Sequence, residues 1–344
     1  MTRAPQLDHP LLPTDDEFER MKGRILSRID DEANVRHVAT RNGAARSRSR
    51  RRMAVTAGVG ATVLTLALVM ANVLGPRGAA TAEAAEVLSQ AASAAANVAT
   101  DPVVGPNQFL LIESTTKSLG VYDRAAVIEE QKRMLYVPGD SDAPWFLNVQ
   151  FLRPDQVLGD PDDSGLVRYM ENFPFDKRRQ YQGSDGKFGG KYDFPTTADF
   201  ADMPRDPDRL VDFMRAMPSG SDAGPDERTF HAIRDALLSD LAPADLRAAM
   251  YEALAEIPGV FLSHGVANLE GRRGVAISYR NESGYSVEQL VIDPSTGEFI
   301  GVREVTIAAD RFIPAGTVVN SSAVTRTVVD EVPQGEYVVP PEAG

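Results

Sequence analysis

The chain contains no cysteine. That absence excludes disulfides, thiolate nucleophiles, cysteine zinc sites and thiol redox sensing together. Histidine is scarce too, with only His9, His37, His231 and His264 in 344 residues. No His-Glu-x-x-His, Gly-x-Ser-x-Gly or Gly-Lys-Ser/Thr stretch occurs, so none of these zinc, nucleophile-elbow or phosphate-loop motifs points to an enzyme. No residue pattern asks for a cofactor or a metal, and no repeat of roughly 20–50 residues is present. A domain without disulfides must be held by its core, and 344 residues that are 43% hydrophobic can bury one.

What the chain does have is one uncharged run, Met53 to Gly75, preceded by Arg46, Arg48, Arg50, Arg51 and Arg52. About 20 apolar residues at about 1.5 Å rise suffice to cross a bilayer core, and an arginine flank stays on the cytoplasmic side. The expectation is a single-pass protein of the cell membrane. Residues 1–52 form its inner segment, 53–75 its transmembrane helix, 76–100 an alanine-rich juxtamembrane helix and 101–344 an extracytoplasmic α+β domain. A cleaved signal is the alternative, favoured by Ala79-Ala80-Thr81-Ala82 and by Ser49-Arg50-Arg51. Against it stand the length of the apolar run and the long segment before it.

Charge follows the same division. Residues 1–52 hold twelve Lys or Arg against eight Asp or Glu, while the whole chain is −13. The outer part is therefore strongly acidic and a poor ligand for nucleic acid, whereas the inner segment favours an anionic leaflet. Within that segment Thr14-Asp15-Asp16-Glu17 reads as a capping box opening a helix over about 15–31. Phe18, Met21, Ile25 and Ile29 give it one narrow apolar stripe. Such a helix is marginal alone, so these four residues are the candidate contact for a cytoplasmic protein partner, with a frayed surface helix as the other reading.

In the outer domain, strands are expected at Gln108–Glu113, Arg133–Val137 and Trp145–Phe151. The stretch 155–202 reads as loops with short strands. A helical block over about 206–257 follows, with Leu210, Val211 and Met214, then Phe230, Ile233 and Leu237, then Leu246, Met250 and Leu254 at helical spacing. Beyond Gly259, β-rich runs separated by Gly271–Gly274, Asn281–Gly284 and Asp293–Gly297 predict an antiparallel meander. Helices segregated from strands make the class α+β, mainly antiparallel sheet.

Three features could carry chemistry. His231 and Asp235 have the i,i+4 spacing of a surface helix pair, and His264 ends a strand run. The clusters Asp155, Asp160, Asp162, Asp163 and Asp199, Asp202, Asp206, Asp208 read as solvated loop before they read as a carboxylate cleft. Tyr169, Phe173, Phe175, Tyr181, Phe188, Tyr192 and Phe194 either cap a core or line a groove for an apolar or sugar ligand.

The arginine-flanked span joins four further stretches: Ala84-Ala-Glu-Val-Leu-Ser-Gln-Ala-Ala92, Leu246-Arg-Ala-Ala-Met-Tyr-Glu-Ala-Leu-Ala-Glu-Ile-Pro-Gly-Val260, Gly271-Arg-Arg-Gly-Val275 and Leu290-Val-Ile-Asp-Pro-Ser-Thr-Gly-Glu298. Together they resemble an actinobacterial family of single-pass membrane proteins often encoded beside extracytoplasmic-function sigma factors. The resemblance implies a membrane-tethered sensor or anti-sigma-like regulator with a sigma factor as inner partner and an unidentified outer ligand. The His-Cys-Cys constellation of zinc-type anti-sigma domains is absent. Two other classes stand beside this reading: a lipid or lipoprotein carrier, which needs a deep apolar cavity, and a cell-wall enzyme, which needs converging carboxylates between Asp155 and Asp208.

Overall fold

The computed structural model describes residues 80–97, 101–154, 156–189, 192–217 and 222–340. The inner segment with Phe18, Met21, Ile25 and Ile29, the arginines 46–52 and the apolar run 53–75 lie outside the described residues. Among those described, no helix is long and apolar enough to cross a membrane.

The domain is α+β. Its ten strands, all antiparallel, are β1 (Phe109–Val121), β2 (Ala125–Pro138), β3 (Trp145–Leu152), β4 (Val157–Gly159), β5 (Arg178–Gly183), β6 (Val260–Ala267), β7 (Arg273–Arg280), β8 (Ser286–Asp293), β9 (Glu298–Thr306) and β10 (Val318–Val329). They form one sheet in the order β5-β3-β2-β1-β10-β9-β8-β7-β6, with β4 beside β2. Two meanders are thus stitched together by the first and last strands, with Phe109 opposite Val329 and Ser118 opposite Asn320. The expected C-terminal meander is present, its turns relying on Gly271, Gly284 and Gly297 at positive φ.

Six helices are described: α1 (Ala82–Asn97), α2 (Ser164–Asn172), α3 (Thr197–Ala201), α4 (Pro207–Ala216), α5 (Pro225–Leu238) and α6 (Ala244–Ala255). The expected helical block corresponds to α4–α6. Two helices, α2 and α3, lie inside the stretch read from sequence as loop and short strand. Each is short and opened by a polar side chain: Asp163 accepts from the Gly165 and Leu166 amides, and Thr196 with Asp199 forms a capping box.

Alanine explains α1. Its face of Ala84, Leu88, Ala91, Ala92 and Ala95 is buried and packs along α6 and against β6. Small side chains let the backbone of α1 approach the β8–β9 turn: a Cβ on Gly297 would stand 2.4 Å from the Ala95 nitrogen. Thr81 ties the start of α1 to the sheet, its amide donating to the Val260 carbonyl at 3.0 Å. Expected as a juxtamembrane helix leading away from the bilayer, α1 is built into the core of the domain.

The core between helices and sheet is filled by Leu88, Phe230, Ile233, Leu246, Met250, Leu254, Ile277 and Leu290, each fully buried. Each such side chain contributes roughly 1.5–3 kcal/mol. That packing fixes the floor on which the site is built.

Candidate functional site

The features singled out in the sequence serve structure. Asp163 and Asp206 are helix caps, Asp199 completes the capping box, and Asp160 pairs with Arg124 at 2.9 Å. Those four carboxylates are therefore committed locally, while Asp155 lies outside the described residues. The aromatic residues stack on one another. Tyr169, Phe173 and Phe175 form one cluster, with Phe151 against Phe173, and Arg179 lies over the Phe151 and Phe173 rings. Tyr181 meets Tyr192, and Phe188 meets Phe194. Tyr169, Phe173, Phe175 and Phe188 are buried, and of these Phe188 belongs to the main core.

His231 does not pair with Asp235. Its Nε2 lies 3.0 Å from Glu288 Oε2 on β8, while Arg234 takes Asp235 at 2.7 Å and Glu288 at 2.6 Å. Helical spacing permits the expected pair, but α5 turns His231 toward the sheet, where a buried carboxylate requires compensation. Burial alone would raise the Glu288 carboxyl; Arg234 and His231 outweigh it and hold the group at about 2. His264, expected at the end of a strand run, lies within β6, which continues to Ala267 at the edge of the sheet, and meets Glu83 of α1 at 2.8 Å.

The residues with unspent chemistry lie elsewhere. Between the helix layer and strands β9 and β10 is a cavity of about 200 Å³, walled by Asp240, Arg247, Arg272, Glu298, Phe299 and Arg326 among others. A second cavity, about 240 Å³, is a more open hollow beside Lys117, Glu130, Lys132 and Glu270. Both are polar. The deep apolar cavity that a lipid carrier requires is not what either provides.

Each wall residue of the first cavity is placed by its element. Arg247 sits in the first turn of α6, where the neighbouring Leu246, Met250 and Leu254 anchor the helix in the core, and its side chain is only 2% exposed. Its Nη1 donates to the Ala242 carbonyl at 2.6 Å. Its Nη2 lies 2.9 Å from Asp101 Oδ1 but off the line of a hydrogen bond, a charge contact only. Arg326, from β10, is 13% exposed and stands 3.4 Å from the same Asp101 oxygen and 3.9 Å from Asp240. Asp240 follows α5 in the left-handed conformation at φ 54, which an aspartate tolerates. Burial pushes its carboxyl up to about 6; Arg326 and Arg247 pull the other way, and Glu298 and Asp101 add to the rise. Arg272 is bound on the rim by Glu298 and Asp293. Beneath it all, the fully buried Tyr251 donates its hydroxyl to the Gly297 carbonyl at 3.0 Å.

The four stretches quoted for the resemblance meet at this place. Ala91 of α1 touches the Gly297 turn, Arg247 and Tyr251 come from α6, Arg272 from the β6–β7 turn, and Gly297 and Glu298 from the β8–β9 turn. Sequence reading missed Arg247, Arg326, Asp240 and Asp101 as site residues. The one visible signal was Arg247, a cation next to the apolar stripe of Leu246, Met250 and Leu254. Among the described residues no three His, Asp or Glu gather as metal ligands. Compared with protein-family models, curated proteins and solved structures, the chain matches none.

Proposed function

We propose that the chain is a membrane-anchored regulatory or sensory protein, anti-sigma-factor-like, whose outer domain binds a small ligand. In this reading the run 53–75 spans the bilayer, the arginines 46–52 hold the N-terminus inside, and Phe18, Met21, Ile25 and Ile29 grip a cytoplasmic protein of the sigma-factor class. The observation that carries it is the position of Asp101. This residue lies a few positions beyond α1, the first described helix after the apolar run, and its carboxylate stands beside Arg247 and Arg326 of the cavity wall. Its other oxygen accepts from the Ala244 amide at 2.8 Å, capping α6. In this reading an occupant that displaces Asp101 also releases it from the Ala244 amide at the start of α6.

The experiment is capture from cytoplasm with the full chain in its membrane, beside a Phe18→Asp, Ile25→Asp variant. Retention of a sigma factor by the parent and not by the variant is expected. Equal capture by both, or none by either, would overturn the inner-segment assignment.

A further inference from the structure

The cavity also indicates what class of ligand it takes, an inference that rests on the sensory reading of the same site. Two guanidiniums, nearly buried, offer a set of N–H donors of which one, to the Ala242 carbonyl, makes the one aligned hydrogen bond found among the described residues. A buried guanidinium keeps its full charge, and its planar fork matches two oxygens on one centre. Asp101 partly satisfies both arginines, from a misaligned 2.9 Å and a long 3.4 Å. At 39% it is also more water-accessible than Arg247, Arg326 or Asp240.

We propose that the Arg247–Arg326 clamp is an oxyanion site in which the Asp101 carboxylate is a built-in, replaceable occupant. A small carboxylate or phosphate-type anion entering the cavity takes both arginines with better alignment, and Asp101 swings into water. The exchange keeps the local charge balanced, because one anion replaces another beside two cations. Its cost is small: Asp101 returns to solvent, and α6 loses one capping hydrogen bond. Arg272 does not compete, since Glu298 and Asp293 already hold it. Asp240 makes the site selective by size, because its carboxylate lies 3.9 Å from Arg326 on the far side and leaves no room for an anion that spreads charge in that direction.

Titration calorimetry on the full chain in lipid nanodiscs, with inorganic phosphate and succinate as separate probes at fixed ionic strength, tests this. At least one probe is expected to bind with one-to-one stoichiometry. Asp101→Asn, which retains an oxygen for the Ala244 amide, should tighten binding about tenfold or more by removing the internal competitor. Arg326→Gln should abolish it, and Arg326→Lys, which keeps the charge but not the fork, should weaken it. Which probe binds separates a phosphate source from a carboxylate one. If neither probe binds even to Asp101→Asn, or if Arg326→Gln binds as the parent does, the clamp is not an oxyanion site. Because the heat of binding requires no cytoplasmic partner, that failure is distinct from a failure of the sigma-factor capture.

Discussion

The Nη2 atom of Arg247 stands 2.9 Å from Oδ1 of Asp101, joining the first turn of α6 to the segment that follows α1. Arg247 is the largest of the fully buried side chains, and it is the one carrying a permanent charge. Replacing it by Met removes the cation that faces Asp101 and Asp240, leaving two carboxylates beside Arg326 alone. The expected loss is about 3 kcal/mol, in the range for breaking a buried pair. Urea unfolding of Arg247→Met against the parent checks it, and a change below 1 kcal/mol would show the pair to be dispensable.

Asp240 gives a pH signature. Its folded value of about 6 lies above the ordinary 3.8, so the folded chain holds the proton more tightly than the unfolded one between those limits. Stability therefore falls as pH rises from about 4 to 6 and stays lower above that. Asp240→Asn carries no such charge and suits the left-handed backbone. It should be more stable than the parent at pH 7.5 by roughly 2–3 kcal/mol, and the gain should vanish near pH 4. Thermal melts of both proteins at the two pH values decide it.

Glu288 has the opposite sign. Held at about 2 against an ordinary 4.5, it contributes stability that is present above pH 4.5 and lost as pH falls toward 2. Glu288→Gln leaves Arg234 inside without its buried counter-charge, and a loss of about 3 kcal/mol at pH 7 is expected. The difference between variant and parent should shrink below pH 3, as followed by acid titration with circular dichroism.

Gly297 tests the close approach of α1. It has φ 69, and a Cβ there would meet the Ala95 nitrogen at 2.4 Å and the Ala91 carbonyl at 2.7 Å. Gly297→Ala combines backbone strain with a clash against helix backbone, so a cost of about 2–4 kcal/mol is expected. Gly271→Ala, also at positive φ but with nothing within 4 Å, isolates the strain, and should cost about 1 kcal/mol.

Much of the fold was legible because its signals are local. Gly259, Gly271, Gly284 and Gly297 punctuate the last five strands, and the stripes of Phe230, Ile233, Leu237 and of Leu246, Met250, Leu254 mark α5 and α6. Less visible was the full length of β1 and β2, since Ser114–Ser118 and Glu129–Arg133 are polar and owe their strand conformation to pairing with each other. Helix α2 was hidden by its short length and by Gly165 in its first turn. The clamp was illegible for a different reason. Asp101, the stretch from Asp240 to Arg247, and Arg326 come from three separated segments, and only the tertiary fold brings them together. His231 shows the same limit: spacing offered Asp235, and the fold supplied Glu288.

In the proposed topology this domain stands outside a membrane while the first residues stand inside. Because the native chain has no cysteine, single-cysteine variants report topology without background. Ser27→Cys and Glu331→Cys would each be treated, in intact cells, with a maleimide that cannot cross the bilayer. The account predicts labelling at position 331 in intact cells and at position 27 only after lysis. Labelling of both, or of neither, before lysis would contradict it.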